Sequence, residues 1–251
     1  MTELQKFQQA ATVILLRPVE PEGFEAFLTR RPQGMAFLGG MYCFPGGAVR
    51  REDSSPKMLQ RCYGLSADDA RKIIGAYFSP AQALGLWVAG IRELFETVGI
   101  VLAIEETGEA FALNSKRQAV LAKRHCDPFE ASLSFPTLLE RERLCCDVSK
   151  LIYFSHWQTP VRSETPFDTH FFLAALPEDQ TPLPTSREGT HSLWVTPDRA
   201  LQLFTYGKLP MTFPTFASLR TLADFDSLED VVREYTARRA VKAKPSSKFS
   251  K

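Results

Sequence analysis

The sequence predicts an α+β domain, and three observations predict it. Strand-like and helix-like segments alternate along residues 10 to 235 without a regular βαβ period. One long segment, residues 80 to 99, carries apolar residues at spacings of three and four and ends on a glycine. Before it, strand-forming residues are broken by Gly39-Gly40 and Pro45-Gly46-Gly47, a glycine density that suits backbone approaching another group closely. With 251 residues, 44% hydrophobic and 24% charged, the chain can bury one sizeable core.

Residues 11 to 16 (ATVILL) are β-branched and apolar and read as a buried strand. Pro18, Pro21 and Gly23 turn the chain into a second strand, Phe24 to Arg30. Residues 54 to about 79 read as one or two short helices with polar surfaces. The long helix follows, with Leu84, Trp87, Val88, Ile91, Leu94 and Phe95 on one face and Gly99 as its stop. IVLAI after Gly99 reads as a strand, and residues 115 to 150 as a charged helical stretch. Two strands, Leu151 to Trp157 and Phe167 to Leu176, are joined by a polar connection with two prolines. A short strand, Ser192 to Val195, precedes three closing helices. The expectation is one domain over residues 10–235, with 54–83 as a helical insertion and 240–251 as a disordered basic tail.

A net charge of +1 offers no global attraction to nucleic acid or to an anionic membrane, so an anionic ligand must be held by local groups. Five cysteines, odd in number and without a CxxC pair, read as reduced thiols in a cytoplasmic protein. The run AATVILL is too short for a signal core or a membrane span. His125, His156, His170 and His191 form no HxxxH or HxH pair, and only His191 is set slightly apart, for its nearness to Glu188.

The chemistry is concentrated in Arg92-Glu93-Leu94-Phe95-Glu96-Thr97-Val98-Gly99-Ile100. Glu93 and Glu96 are three apart and share a helix face. Such carboxylates repel unless a cation lies between them, and hard divalent cations want oxygen ligands of this kind. Arg92 is placed to orient and partly neutralise the pair. Upstream stand Gly47, five residues, and Asp53. Together these residues resemble the Nudix box: Gly, five residues, Glu, seven residues, Arg-Glu-apolar-any-Glu-Glu-any-Gly-apolar. Gly47, Arg92, Glu93, Leu94, Glu96, Gly99 and Ile100 match. Asp53 stands for the first Glu, Thr97 for the last, and 38 residues separate Asp53 from Arg92. A box interrupted in this way is similar to that of the coenzyme A diphosphatase branch.

A second motif, Phe27-Leu28-Thr29-Arg30-Arg31 with Gly40 and Phe44-Pro45-Gly46-Gly47, resembles the coenzyme A signature of some Nudix enzymes. Pro32 and Ala36 depart from it, Ala36 standing where a second Arg belongs. The resemblance extends through YFSHWQTP, PFDTHFFLAALP and LADFDSLEDV. It implies a Nudix α/β/α sandwich: a mixed sheet between helices, a helical insertion in the box, and C-terminal helices. It further implies a Mg²⁺- or Mn²⁺-dependent hydrolase, with metal on Glu93, Glu96, Glu188 and the Gly46 or Gly47 carbonyl. Glu188, six residues before Trp194, is the extra acid. Glu93 or Glu188 would serve as base, with Arg92 completing the catalytic set. Substrate contacts fall to Arg31, Arg30, Phe44, Gly46 and Gly47. Arg30 and Arg31 are expected on a strand, so that only one faces the cleft. The implied reaction splits the diphosphate of coenzyme A or acyl-coenzyme A into 3′,5′-ADP and (acyl-)4′-phosphopantetheine. The rivals are a hydrolase of ADP-ribose or NADH and a Nudix-fold protein that binds without turnover. The expected partner is a small nucleoside diphosphate, with no nucleic acid and no membrane, and a homodimer is allowed.

Overall fold

The computed structural model describes residues 7–21, 23–35, 38–113, 117–119, 121, 134–159, 166–183 and 191–243. The strands are β1 (Gln8–Pro18), β2 (Phe24–Arg30), β3 (Tyr42–Cys43), β4 (Gly46–Ala48), β5 (Cys62–Tyr63), β6 (Ala103–Glu105), β7 (Leu144–Asp147), β8 (Ile152–Gln158), β9 (Phe167–Ala175) and β10 (His191–Val195). The helices are α1 (Pro56–Leu59), α2 (Ala67–Ile74), α3 (Pro80–Val98), α4 (Phe135–Glu142), α5 (Pro197–Thr205), α6 (Phe213–Leu222) and α7 (Leu228–Ala243).

The main sheet runs β10-β2-β1-β9-β8, with β3 paired to β2 and β4 to β1. It is mixed, because β1 and β9 are parallel while the other pairs are antiparallel. Strand alternation sorts the apolar residues into two cores. Ala11, Val13 and Leu15 of β1 face α3 together with Phe27 and Phe172. Ile14, Leu16, Ala26, Leu28, Phe171 and Leu173 face α5, α6 and α7. The predicted arrangement of a mixed sheet between helical layers is what the chain forms. Burying each large aliphatic side chain here contributes about 1.5–3 kcal/mol.

Local chemistry explains α3. The Ser79 hydroxyl accepts from the Gln82 N–H, and the Gln82 side chain accepts from the Ser79 N–H, closing a capping box. Pro80 occupies the first turn, and Gly99, at φ 73°, takes the left-handed conformation that ends the helix. Gly90 lets the helix lie close on the sheet, since a Cβ there would sit 3.1 Å from Leu151 Cδ1 and 3.4 Å from Val13 Cγ2.

Three expectations change. Residues 144–147, predicted helical, form β7, because Arg143 at φ 55° ends α4 and the next residues pair with β5 on one side and β6 on the other. Of the strand expected at 100–104, only Ala103 onward joins a ladder. The backbone of Val101 is instead satisfied by the Gln180 side chain, whose amide bonds both its N–H (2.9 Å) and its carbonyl (2.8 Å). The insertion carries α1 and α2 as expected, but also β5, seeding a small second sheet β5-β7-β6. The last helix runs on to Ala243, so the remainder of the expected tail, from 244, lies outside the described residues. Cys43, Cys62, Cys145 and Cys146 are free thiols, and Cys126 lies outside the described residues. No helix among the described residues is long and apolar enough to cross a membrane.

Candidate active site

The interrupted box closes in space. Asp53 lies within a short 3₁₀ turn, Arg51–Ser54, after β4, and Arg92 lies in the fourth turn of α3. Across the 38 intervening residues the Arg92 guanidinium donates two parallel hydrogen bonds to the Asp53 carboxylate, each 2.8 Å. Both side chains are buried, and Asp53 also accepts from the Arg50 N–H at 2.7 Å. The insertion therefore loops out between two residues that still meet.

Arg92 serves as a hub. Beyond Asp53 it donates to Glu93 (2.5 Å), Glu96 (3.1 Å) and the Ala48 carbonyl (2.9 Å). Burial by itself would pull the guanidinium's pKa down, but the Asp53 hydrogen bond and the charges of Glu93, Asp53 and Glu96 outweigh it and leave it raised. Glu93 feels the opposite pressure. Burial pushes its carboxyl above the ordinary 4.5, against the pull of Arg92. A buried carboxylate held in this state gains from any further cation.

The glycines of β4 are explained by close approach. A Cβ on Gly47 would lie 2.5–2.8 Å from the Glu93 carboxylate, and one on Gly46 would lie 2.5 Å from Thr12 Oγ1. Register fixes this contact, because Gly47 pairs with Ala11 on the face of β1 that α3 covers.

Glu96 carries the partner that the sequence reading missed. Arg50 grips it with two bonds of 2.6 and 2.7 Å. Arg50 is 53% exposed and Glu96 33%, so this lock is at the surface. The five groups, two arginines and three carboxylates, leave one negative charge over. Thr97 is buried on the same helix, 7% exposed.

The coenzyme A signature residues are not all brought together. Arg30 belongs by alternation with Phe24, Ala26 and Leu28, on the face away from α3. Its guanidinium bonds the Gly40 carbonyl (3.1 Å) and lies over Tyr42. Arg31 lies just past the end of β2, not within it; its N–H bonds the Met41 carbonyl and its carbonyl accepts from Gly40. Phe44 is 3% exposed and packs with the core under the C-terminal helices, so its ring is a packing element and does not line an open cleft. Glu188 and Ala36 lie outside the described residues.

The model of the NUDT19 Nudix domain family matches residues 79–222, more than half of the chain. The chain is 27% identical to the acyl-coenzyme A diphosphatase NUDT19 of Gallus gallus, over 95% of this chain and 73% of that one. With the Homo sapiens protein of the same name it shares 25% identity over 86% of this chain, and it spans 64% of that relative's length. The crystal structure of a NUDIX hydrolase from Alicyclobacillus acidocaldarius superposes with a TM-score of 0.72 at 25% identity, covering 92% of this chain and 97% of that one. With its box closed by Asp53 and Arg92, and matched over the box helix and both sides of the sheet, the chain belongs to the NUDT19 Nudix domain family and is a Nudix hydrolase.

Proposed function

We propose that this enzyme hydrolyses the diphosphate linkage of coenzyme A or acyl-coenzyme A, releasing 3′,5′-ADP and (acyl-)4′-phosphopantetheine, with Mg²⁺ or Mn²⁺. The observation that carries the hydrolytic site is the Asp53–Arg92–Glu93–Glu96 cluster beside Gly47. The substrate class is supported by relatives that are named acyl-coenzyme A diphosphatases.

The residues fit a divalent cation. Glu93 and Glu96 stand one turn apart, the missing Cβ of Gly47 leaves room at the Glu93 carboxylate, and the cluster keeps an unbalanced negative charge. Glu93, Glu96, the Gly47 carbonyl and, from the resemblance, Glu188 would hold it. When bound, a cation of this kind neutralises phosphate charge and lowers the pKa of a coordinated water. Glu93 or Glu188 would take the proton of the attacking water. Arg92 holds Glu93 in place, and Asp53 holds Arg92. Arg50 must let go of Glu96 for the carboxylate to ligate, and its exposure allows that. Arg31 grips a substrate phosphate.

Thr97, a buried hydroxyl in place of a carboxylate, favours one second reading: a protein that binds the ligand with little turnover. Mass spectrometry of products from coenzyme A, acyl-coenzyme A, ADP-ribose and NADH, with Mg²⁺ or Mn²⁺, decides among them. Coenzyme A cleavage should fall roughly a hundredfold or more in Glu96→Gln. Full activity in EDTA would sink the metal role, and preferential cleavage of ADP-ribose or NADH would sink the substrate. Thermal stabilisation by coenzyme A without product would favour the binding reading.

A further inference from the structure

Three metal-binding side chains meet on the same sheet at a place that neither the box nor the coenzyme A signature uses. Strands β8 and β9 pair with His156 opposite His170 and Gln158 opposite Asp168. Asp168, His170 and Phe172 alternate onto the α3 face. In register, His170 is next to Ala11 of β1, and Ala11 is next to Gly47. Two strand spacings, about 10 Å, thus separate this cluster from the box glycine.

The potential ligand atoms of His156, Asp168 and His170 all lie within 4.8 Å of one another. His170 is 2% exposed and Asp168 5%, while the His156 side chain, on the edge strand, is 41% exposed. His170 Nδ1 bonds the Tyr153 hydroxyl at 3.2 Å. Its Nε2 is buried and has no hydrogen-bond partner among the described residues. Buried polar atoms are nearly always partnered, so an orphaned ring nitrogen beside a carboxylate and a second imidazole points to an absent ligand. In the tautomer whose Nδ1–H donates to the Tyr153 hydroxyl, Nε2 presents a lone pair.

We propose that His156, Asp168 and His170 form a transition-metal site of the two-histidine, one-carboxylate kind, taking Zn²⁺ or another imidazole-preferring divalent ion and separate from the oxygen-lined position at the box. Imidazole donors select zinc and its neighbours over magnesium. The supports around the ligands are already in place. Asp168 is held through its second oxygen by Gln9 Nε2 at 2.9 Å, and Tyr153 orients His170. Zinc bonds of about 2.0–2.2 Å place ligand atoms roughly 3.4 Å apart, so the wider pairs of the cluster close while the bonded His156–Asp168 pair opens. The two imidazoles are stacked, 4.6 Å between centroids and 15° between planes. His156 supplies the movement, turning its ring and releasing the Asp168 oxygen that it now bonds. Three protein ligands leave a fourth position for water or for an oxygen of a ligand.

The test uses the full chain, stripped with chelator and dialysed against Zn²⁺, or titrated with Co²⁺, in excess Mg²⁺ to occupy the box. One Zn²⁺ per chain should be retained. Co²⁺ should give d–d bands without a thiolate charge-transfer band. His156→Ala and Asp168→Asn should each weaken Zn²⁺ binding by about tenfold or more. His156→Ala also takes a hydrogen bond away from buried Asp168, so its metal-free melting temperature is recorded alongside, while Mg²⁺-supported hydrolysis should be unchanged. No Zn²⁺ retained in excess Mg²⁺, a thiolate band, or unaltered affinity in His156→Ala would each overturn the site. None of these readouts depends on coenzyme A being the substrate.

Discussion

Replacing Arg92 with leucine should be the most damaging change to the box that leaves every carboxylate in place. Arg92 is 2% exposed and is the partner of Asp53, at 2% exposure, and of Glu93, at 6%. Removing it strands two buried carboxylates, and breaking a buried ion pair from one side costs about 3–5 kcal/mol. For a chain of this size each kcal/mol lowers the melting temperature by about 2–4 °C, so the loss is roughly 6–20 °C. The pH dependence follows from the sign of the pKa changes. Without Arg92, Glu93 loses the charge that opposes its burial and titrates still higher in the folded state than in the unfolded chain, already lying above 4.5 through burial. The protonated folded form is then favoured at acid pH, and that stability is lost as pH rises through the folded pKa. The deficit of Arg92→Leu against wild type should therefore shrink between about pH 8 and pH 5. Arg92→Lys, which keeps the charge but not the paired geometry, should fall between. Differential scanning calorimetry in EDTA at the two pH values measures this. A deficit below about 2 °C, or one equal at both pH values, would refute the hub role.

Other substitutions probe the same site. Arg50→Met removes the surface lock on Glu96; such exposed pairs contribute up to about 1 kcal/mol, so Mg²⁺ should bind up to roughly fivefold tighter by isothermal titration, and weaker binding would mean that Arg50 helps hold the cation site. Thr97→Glu adds a carboxylate at a position 7% exposed, one turn from Glu93. In EDTA it should cost roughly 1–3 kcal/mol, or about 2–12 °C, and Mg²⁺ should restore most of it; a loss that Mg²⁺ leaves unchanged would mean that the side chain does not reach the cation. Arg31→Ala should lower the kcat/KM preference for coenzyme A over dephospho-coenzyme A by about tenfold to a hundredfold, from a lost charge-assisted contact of about 1.5–3 kcal/mol. A wild-type ratio near one would remove the 3′-phosphate contact altogether.

The box helix was legible in the sequence because its signals are local. Ser79, Pro80 and Gln82 start it, Gly99 stops it, and the spacing of three and four sets its buried face. The pairing of Glu93 with Glu96 needs only helical periodicity, and the strands at β1, β2, β8 and β9 announce themselves by β-branched and aromatic runs. Residues 144–147 were misread because a four-residue strand has no preference strong enough to show; β5 and β6 on either side decide it. The bond between Asp53 and Arg92 bridges an insertion that sequence can count but not fold. The Arg50 lock on Glu96, the burial of Thr97 and the burial of Phe44 depend on distant elements. The His156–Asp168–His170 cluster shows the limit most clearly. No spacing along the chain joins these residues, since the motif consists of a strand register and a shared face. Sequence by itself determined the periodic elements, the family motifs and the helix that carries the acids, because these follow from neighbours within a few residues. Which charges meet, and which are buried, was decided only when the sheet set its register and the α3 helix settled on it, because a Coulomb interaction is a matter of distance in space and of solvent removed.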